Sequence, residues 1–284
     1  MKVSFYSGFW EIYSRQSPKA AVEFMKKNGF THCEPIDTID RCFFRTVSEA
    51  KEFKLLLDEA EIGCNCFSMA VDLYPDTDTA VSALKHKAEI VAALGAKYLH
   101  HTVYMGLTRD EASPDIDELF DAILPYEAEV VRYARSIGVD IIFEPQGKYV
   151  NGMDGFTKFF ERLKAMPGCE SIGVCFDNGN VAFGSCDPYE FLKKFLPYVR
   201  NVHIKDYAYV DGSIEGKPVV YIHDNGRYFE EVPIGQGMMR AKECIELLRS
   251  SGYSGPYSLE SNLLNYGIGA DVSNVDGKNF IESI

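Results

Sequence analysis

The chain of 284 residues is poor in the features that mark secreted, membrane or nucleic-acid-binding proteins. Cations are in deficit: 29 Lys and Arg against 42 Asp and Glu give a formal net charge of −13. Phosphate polymers and anionic lipid surfaces are bound by neutralising phosphate with Lys and Arg, so neither nucleic acid nor a membrane is an expected partner. No run of about 18 apolar residues could span a bilayer. The opening MKVSFYSGFWEIYSRQ lacks the apolar core and small-residue cleavage site of a secretory signal, which points to a cytoplasmic address. The eight cysteines include no CxxC pair, and most lie in apolar runs where a reduced thiol packs as a small hydrophobe. SFYSGFWEIYS, around the end of the first apolar run, has no G-x-G-x-x-G, which removes the main support for a dinucleotide-binding fold.

What is present is an alternation of short apolar runs with longer amphipathic ones. Residues 3–8 read as a first strand and SPKAAVEFMKKNG as a helix, with Ser17 as N-cap, Pro18 in the first turn and Gly29 as the stop. A second strand over 31–36 precedes a helix over 48–61, whose Phe53, Leu56, Leu57 and Ala60 share one face and which Gly63 ends. A third strand over 64–71 is followed by a helix from about Thr79 to Gly95. A fourth over 98–104 is followed by one from about Asp115 to Ile137, terminated by Gly138. DIIFEP, IGVCFD, VHIKD and YSLES supply strands five to eight, with helices over 155–166 and 187–197 after the first two. Eight such units in a chain of this length predict an α/β fold, a (β/α)8 TIM barrel forming one domain over 1–284.

Glu144, Asp177, His203 and Glu260 each end one of these apolar runs, in IIFEPQ, GVCFDNGN, NVHIKDY and YSLESN. A charge at the end of a buried strand is costly unless a metal or an opposite charge compensates, and strand C-terminal ends are where a barrel builds its site. The four are separated by about 33, 26 and 57 residues, against about 30 for one barrel unit, so the last interval holds an insertion. It is expected at about 207–237, where KPVVYIHDNGRYFEEVPI reads as a β-hairpin turning at Asn225 and Gly226 after strand seven. Three carboxylates and one imidazole form a mostly hard donor set for one divalent metal ion. Mn²⁺, Mg²⁺ or Co²⁺ suit it best, with Zn²⁺ and Fe²⁺ left open.

The E-P of FEP, the D-x-G-N of CFDNGN, the H-x-K-D of VHIKD, the G-x-G of PIGQG and the L-E of YSLESN stand in the order that resembles the xylose isomerase-like sugar phosphate isomerase/epimerase superfamily, across the whole chain. The resemblance implies a TIM barrel with one divalent metal held by Glu144, Asp177, His203 and Glu260. It also implies that Glu144 and Glu260 are catalytic, one removing a proton from one face of the substrate and the other returning it on the opposite face. A metal on the carbonyl and hydroxyl of an α-hydroxyketone would make the neighbouring C–H proton accessible by stabilising the enediolate.

Substrate contacts are expected from Lys205, Asn180, His101, Glu34 and Trp10. Lys205 lies two residues on from His203 and so shares its interior face, whereas His100 and His101 must point to opposite faces. Glu34 ends strand two, His101 lies near the end of strand four, and Trp10 and Phe9 follow strand one as an apolar wall for a sugar ring. Bland alternatives stand beside these: a rim ion pair for Lys205 and Asp206, a satisfied buried histidine, an aromatic used for packing. Many relatives carry histidine where this chain has Asn180, which can bond a hydroxyl but cannot shuttle a proton near neutral pH. The arginine common after the strand-seven histidine of ketohexose epimerases is missing, so clamping would fall to Lys217 or Arg227. The G-x-G at 235–237 reads equally as an anion cradle or a tight turn.

The first expected function is a metal-dependent isomerase or epimerase of a ketose or related polyhydroxy ketone, with or without a phosphate. The second is a dehydratase of a keto-polyol such as an inosose or a dehydroshikimate-like acid, which begins with the same proton abstraction and then expels a β-hydroxyl. An abasic-site endonuclease is disfavoured by the acidic balance and by a total of six histidines. A non-catalytic sugar-binding subunit is the reading from another class. The expected partner is a small carbohydrate, and a homo-oligomer is expected by analogy with other barrels.

Overall fold

The computed structural model describes residues 1–38, 42–103, 113–222 and 226–284. β1 (Val3–Phe5) leads into α1 (Ser7–Arg15) and α2 (Pro18–Lys27), and the pair β2 (His32–Cys33) and β3 (Ile36–Thr38) leads into α3 (Val47–Ala60). The pair β4 (Gly63–Cys64) and β5 (Cys66–Ala70) is followed by α4 (Thr77–Leu94), β6 (Tyr98–His101) by α5 (Ile116–Ser136), and β7 (Asp140–Phe143) by α6 (Met153–Lys164). β8 (Gly173–Asp177) precedes α7 (Asn180–Phe183) and α8 (Pro188–Phe195). After β9 (Val199–Ile204) come β10 (Tyr207–Tyr209), β11 (Tyr221–Ile222) and β12 (Tyr228–Glu231), then α9 (Ala241–Ser250), β13 (Tyr257–Leu259) and α10 (Ala270–Ser283).

The parallel strands run in the order β3-β5-β6-β7-β8-β9-β13-β1-β2-β4. β2 pairs with β4 while β3 pairs with β5, so the two ends of that order are halves of neighbouring interrupted strands and the sheet closes on itself. Eight barrel strands result, the second broken at Glu34-Pro35 because proline has no N–H to give the ladder. The TIM barrel expected from the strand–helix count is the fold observed. Helix starts follow the side chains that cap them: Ser17 Oγ accepts from the Ala20 amide at 3.1 Å, and Thr46 and Asp115 form capping boxes with Glu49 and Glu118.

Several boundaries differ from expectation. The first strand stops at Phe5 and Ser7 begins a helix, so Trp10 lies on α1 rather than in a loop. α3 ends with Glu61 in the left-handed region (φ 58°), and Gly63 opens β4 instead of stopping the helix. The last two helices, α9 and α10, were implied by the unit count without being placed. The predicted end of strand four at Tyr104 and the turn residue Asn225 lie outside the described residues.

The barrel's outer wall and the inner faces of the helices make the apolar core, in which Phe5, Phe67, Phe143, Phe156, Phe159 and Phe191 are fully buried. The barrel interior is different. Cys66, Tyr98, Ile142 and Cys175 form its apolar floor, and polar side chains fill the levels above. The cysteines are free thiols. Between β9 and α9, β10, β12 and β11 form a separate antiparallel sheet in that order, which contains the expected hairpin. No helix among the described residues is long and apolar enough to cross a membrane.

Candidate metal centre

Strand parity and register bring the four strand-end residues together. Asp177, the last residue of β8, is paired in register with His203 on β9, and His203 with Ser258 on β13, two residues before Glu260. Glu144 directly follows β7. One donor atom from each of Glu144, Asp177, His203 and Glu260 lies within 4.8 Å of the others. His203 Nδ1 faces Glu144 Oε1 at 2.9 Å, Glu260 Oε2 at 3.4 Å and Asp177 Oδ2 at 4.0 Å. Glu144, Asp177 and His203 are buried, while the Glu260 side chain is 28% exposed and forms the open side of the cluster.

The charges shape one another. Burial pushes the Asp177 carboxyl well up, against the pull of Lys205, and Glu144 and Glu260 push the same way as burial. Glu144 stays well below the usual range, because His100 and His203 overcome its burial. Burial also opposes ionisation of Glu260, but Lys205 holds it down at about 2. Lys205 Nζ lies 2.9 Å from Asp177 Oδ2, 2.8 Å from Glu260 Oε1 and 3.2 Å from Asn180 Oδ1.

The donor set fits a divalent cation. Asp177 Oδ1 accepts from the amides of Gly179 and Asn180, at 2.7 and 2.8 Å, leaving Oδ2 buried with no aligned hydrogen bond. A buried carboxylate oxygen whose counter-charge is the Lys205 ammonium, beside two further carboxylates and an imidazole, is an environment a hard or borderline cation would relieve. His203 also has the support usual for a metal-binding imidazole, since its Nε2 lies 2.9 Å from Glu34 Oε1.

The other expected contacts fall in different places. Asn180, at the start of α7, is in the site: its Oδ1 meets Lys205 and its buried Nδ2 has no hydrogen-bond partner. Glu34 is inside the barrel but below the cluster. Its two carboxylate oxygens are already taken by His203, Ser68, Asn201 and Ser258, against the expectation of an open substrate contact. The expectation for His101 is corrected, because β6 turns it outward, where its Nε2 lies 3.1 Å from the buried Glu127 of α5. His100 is the histidine of β6 that faces the site. Trp10 packs edge-on against Phe43 at 4.5 Å, in the aromatic group around Tyr13, a packing role for α1.

Two readings of the insertion are also corrected. Asp206 does not pair with Lys205. Its carboxylate accepts from the amides of Tyr207, Gly235, Gly237 and Met239 at 2.9–3.1 Å, so the G-x-G amides already hold an anion of the chain itself. A Cβ on Gly237 would come within 2.2 Å of Asp206 Oδ1, which explains that glycine. Lys217 is bonded to Glu230 within the small sheet, and Arg227 lies 3.3 Å over the Tyr209 ring. Phe183 meets Tyr207, Tyr221 and Phe229 edge-on, and a Cβ on Gly179 would touch both the Lys205 stem and the Tyr207 ring, so this aromatic wall stands beside Lys205.

Residues the sequence reading passed over include Tyr6, whose ring stacks on His203 at 4.6 Å, and Ser68, Asn201 and Ser258. The period-two alternation of Asn201, His203 and Lys205 was the available signal for Asn201.

The family described as "Xylose isomerase-like TIM barrel" matches residues 22–273. An inosose dehydratase of Bacillus anthracis (strain CDC 684 / NRRL 3495) is 24% identical over 218 residues, covering 73% of this chain and 71% of the relative. Among solved structures, 3-keto-D-glucoside 4-epimerase from E. coli superposes with a TM-score of 0.73 at 14% identity, over 100% of both chains. The IOLI protein with a bound zinc atom superposes with a TM-score of 0.72 at 19% identity, over 98% of this chain and 96% of that one. At these identities the two structures share the fold.

Proposed function

Because the chain belongs to the xylose isomerase-like TIM barrel family, we propose that it is a divalent-metal-dependent isomerase or epimerase of a ketose or related polyhydroxy ketone. The observation that carries this reading is the convergence of Glu144, Asp177, His203 and Glu260 within 4.8 Å at the strand ends, with Glu260 left partly open. A divalent cation held by these four would supply positive charge to a substrate carbonyl oxygen and so acidify the adjacent C–H. Glu260, ionised and open, would accept that proton. Glu144, ionised and enclosed between His100 and His203, would return one. Asn180, with a free amide N–H, would bond a substrate hydroxyl. Tyr207 and Phe183 would exclude water from one side. Epimerases and inosose dehydratases among the similar proteins, all acting on small polyol or sugar-like compounds by their names, support this reading.

One observation favours dehydration as the second reading. Lys205 Nζ stands 2.8 Å from Glu260, so an N–H donor for a leaving hydroxyl is adjacent to the base. The test is incubation of the metal-loaded protein in D₂O with a panel of ketoses and inososes, followed by NMR and mass spectrometry. Deuterium next to the carbonyl, absent with Glu260→Gln, supports enolising chemistry. A product lighter by one water assigns the lyase, and an isomeric product assigns the epimerase. Bound metal without any exchange would overturn the proposal in favour of a non-catalytic sugar-binding subunit.

A further inference from the structure

Beneath the ligand cluster the polar interior closes into a circuit. Glu144 Oε1 lies 2.9 Å from His203 Nδ1, and Oε2 lies 3.3 Å from His100 Nε2. His100 Nδ1 lies 2.8 Å from Ser68 Oγ, and Ser68 Oγ donates to Glu34 Oε1 at 2.7 Å. The same Glu34 oxygen lies 2.9 Å from His203 Nε2, which completes the ring. Each of the five side chains is at most 2% exposed, and each comes from a different barrel strand or its end.

Proton accounting gives the circuit a direction. Ser68 has one O–H and spends it on Glu34, so its oxygen accepts from His100 Nδ1. Asn201 Nδ2 at 2.9 Å and Ser258 Oγ also donate to Glu34, so four donors fill its two oxygens. An acceptor-only carboxylate obliges His203 to keep a proton on Nε2, which leaves Nδ1 as the ring nitrogen that faces Glu144, Asp177 and Glu260 and that a cation would take. His100 Nε2 and His203 Nδ1 meanwhile each stand against one oxygen of Glu144, at 3.3 and 2.9 Å, which leaves the plane of its carboxylate little room to turn.

Resting on the metal reading above, we propose that Glu34, Ser68 and His100 are positioning residues that set the His203 tautomer and the Glu144 carboxylate plane before a metal binds. None of the three lies at the open side of the cluster. Outer partners of this kind typically change metal affinity by 10- to 100-fold when removed. A circuit serving only the fold would lower the melting temperature of variants and leave the affinity of the folded protein alone.

The test uses the full chain freed of metal by a chelator and titrated with Mn²⁺, by calorimetry and by the electron paramagnetic resonance of free Mn²⁺. Wild-type protein is expected to take up one Mn²⁺. Glu34→Gln and His100→Leu should bind it about 10- to 100-fold more weakly. His100→Gln, which keeps an N–H toward Ser68, should recover part of the loss. Ser68→Ala removes a single hydroxyl and carries the test if the other variants fail to fold by circular dichroism. Folded Ser68→Ala or His100→Leu protein with wild-type Mn²⁺ affinity overturns the proposal. Wild-type protein that binds no Mn²⁺ or other divalent ion overturns the metal reading itself, a separate outcome.

Discussion

Replacing Lys205 with methionine isolates the electrostatics of the centre without touching a ligand. The ammonium is 4% exposed and contacts Asp177, whose side chain is fully buried, and Glu260, at 28% exposure. Removing one member of a buried pair costs about 3–5 kcal/mol, because the remaining charge stays desolvated. Most of that falls on Asp177, since water reaches Glu260. Unfolding entropy of about 2.1 cal/mol/K per residue gives roughly 0.6 kcal/mol/K for a chain of 284 residues, so the metal-free variant should melt about 5–8 °C below wild type. Burial already raises the Asp177 carboxyl well above its ordinary range, and loss of Lys205 raises it further. A raised carboxyl holds its stability below the unfolded value and loses it as pH climbs through the folded value, so the gap should widen from pH 5 to pH 8. A divalent cation would neutralise the same carboxylates and, with the competing ammonium gone, should bind the variant more tightly than wild type, each tenfold difference in Kd narrowing the gap by about 1.4 kcal/mol. Differential scanning calorimetry at both pH values, with chelator and with Mn²⁺, measures all of this. A variant that melts with wild type at pH 8 in chelator, or whose deficit Mn²⁺ leaves unchanged, refutes the reasoning.

Glu260→Gln and Glu144→Gln should each lower solvent deuterium exchange into substrate by about 10²–10⁴-fold and weaken metal binding; exchange rates at saturating metal separate the lost proton acceptor from the lost ligand. Burial lifts Glu231 to about 7 despite the bond from the Asn262 amide, so the metal-free protein should lose stability as pH rises from about 4.5 through 7. Glu231→Gln should flatten that slope in melts across the same range. Asp206→Ala leaves four backbone amides of the 207–239 segment without their acceptor, and proteolysis should then cut this segment faster while the barrel strands stay protected.

The fold was legible because parallel barrel strands are short apolar runs bounded by polar ends, and the spacing of Glu144, Asp177, His203 and Glu260 exposed both the repeat and the insertion. Side-chain direction was harder to read. In YLHH both faces of the strand are buried, so nothing in the pattern tells His100 from His101; only the pairing of Ser68 with His100 across β5 and β6 decides it. Ser68 and Ser258 carry no sequence signal of their own, because a small polar residue in an apolar run gains meaning only from what its neighbouring strands bring to it. Glu34 was visible as a buried strand-end carboxylate, but its depth in the barrel was not. The short first strand was overestimated because Tyr6, a strand-like residue by type, is followed immediately by the turn into α1.

Asp206 sits one residue beyond Lys205 and holds four amides of the inserted segment. The anchorage of the inserted segment and the position of the ammonium are thus two ends of one peptide unit. Substitutions far out on the hairpin would be felt at the carboxylates as a change of tilt, without any change in the four strand-end side chains themselves.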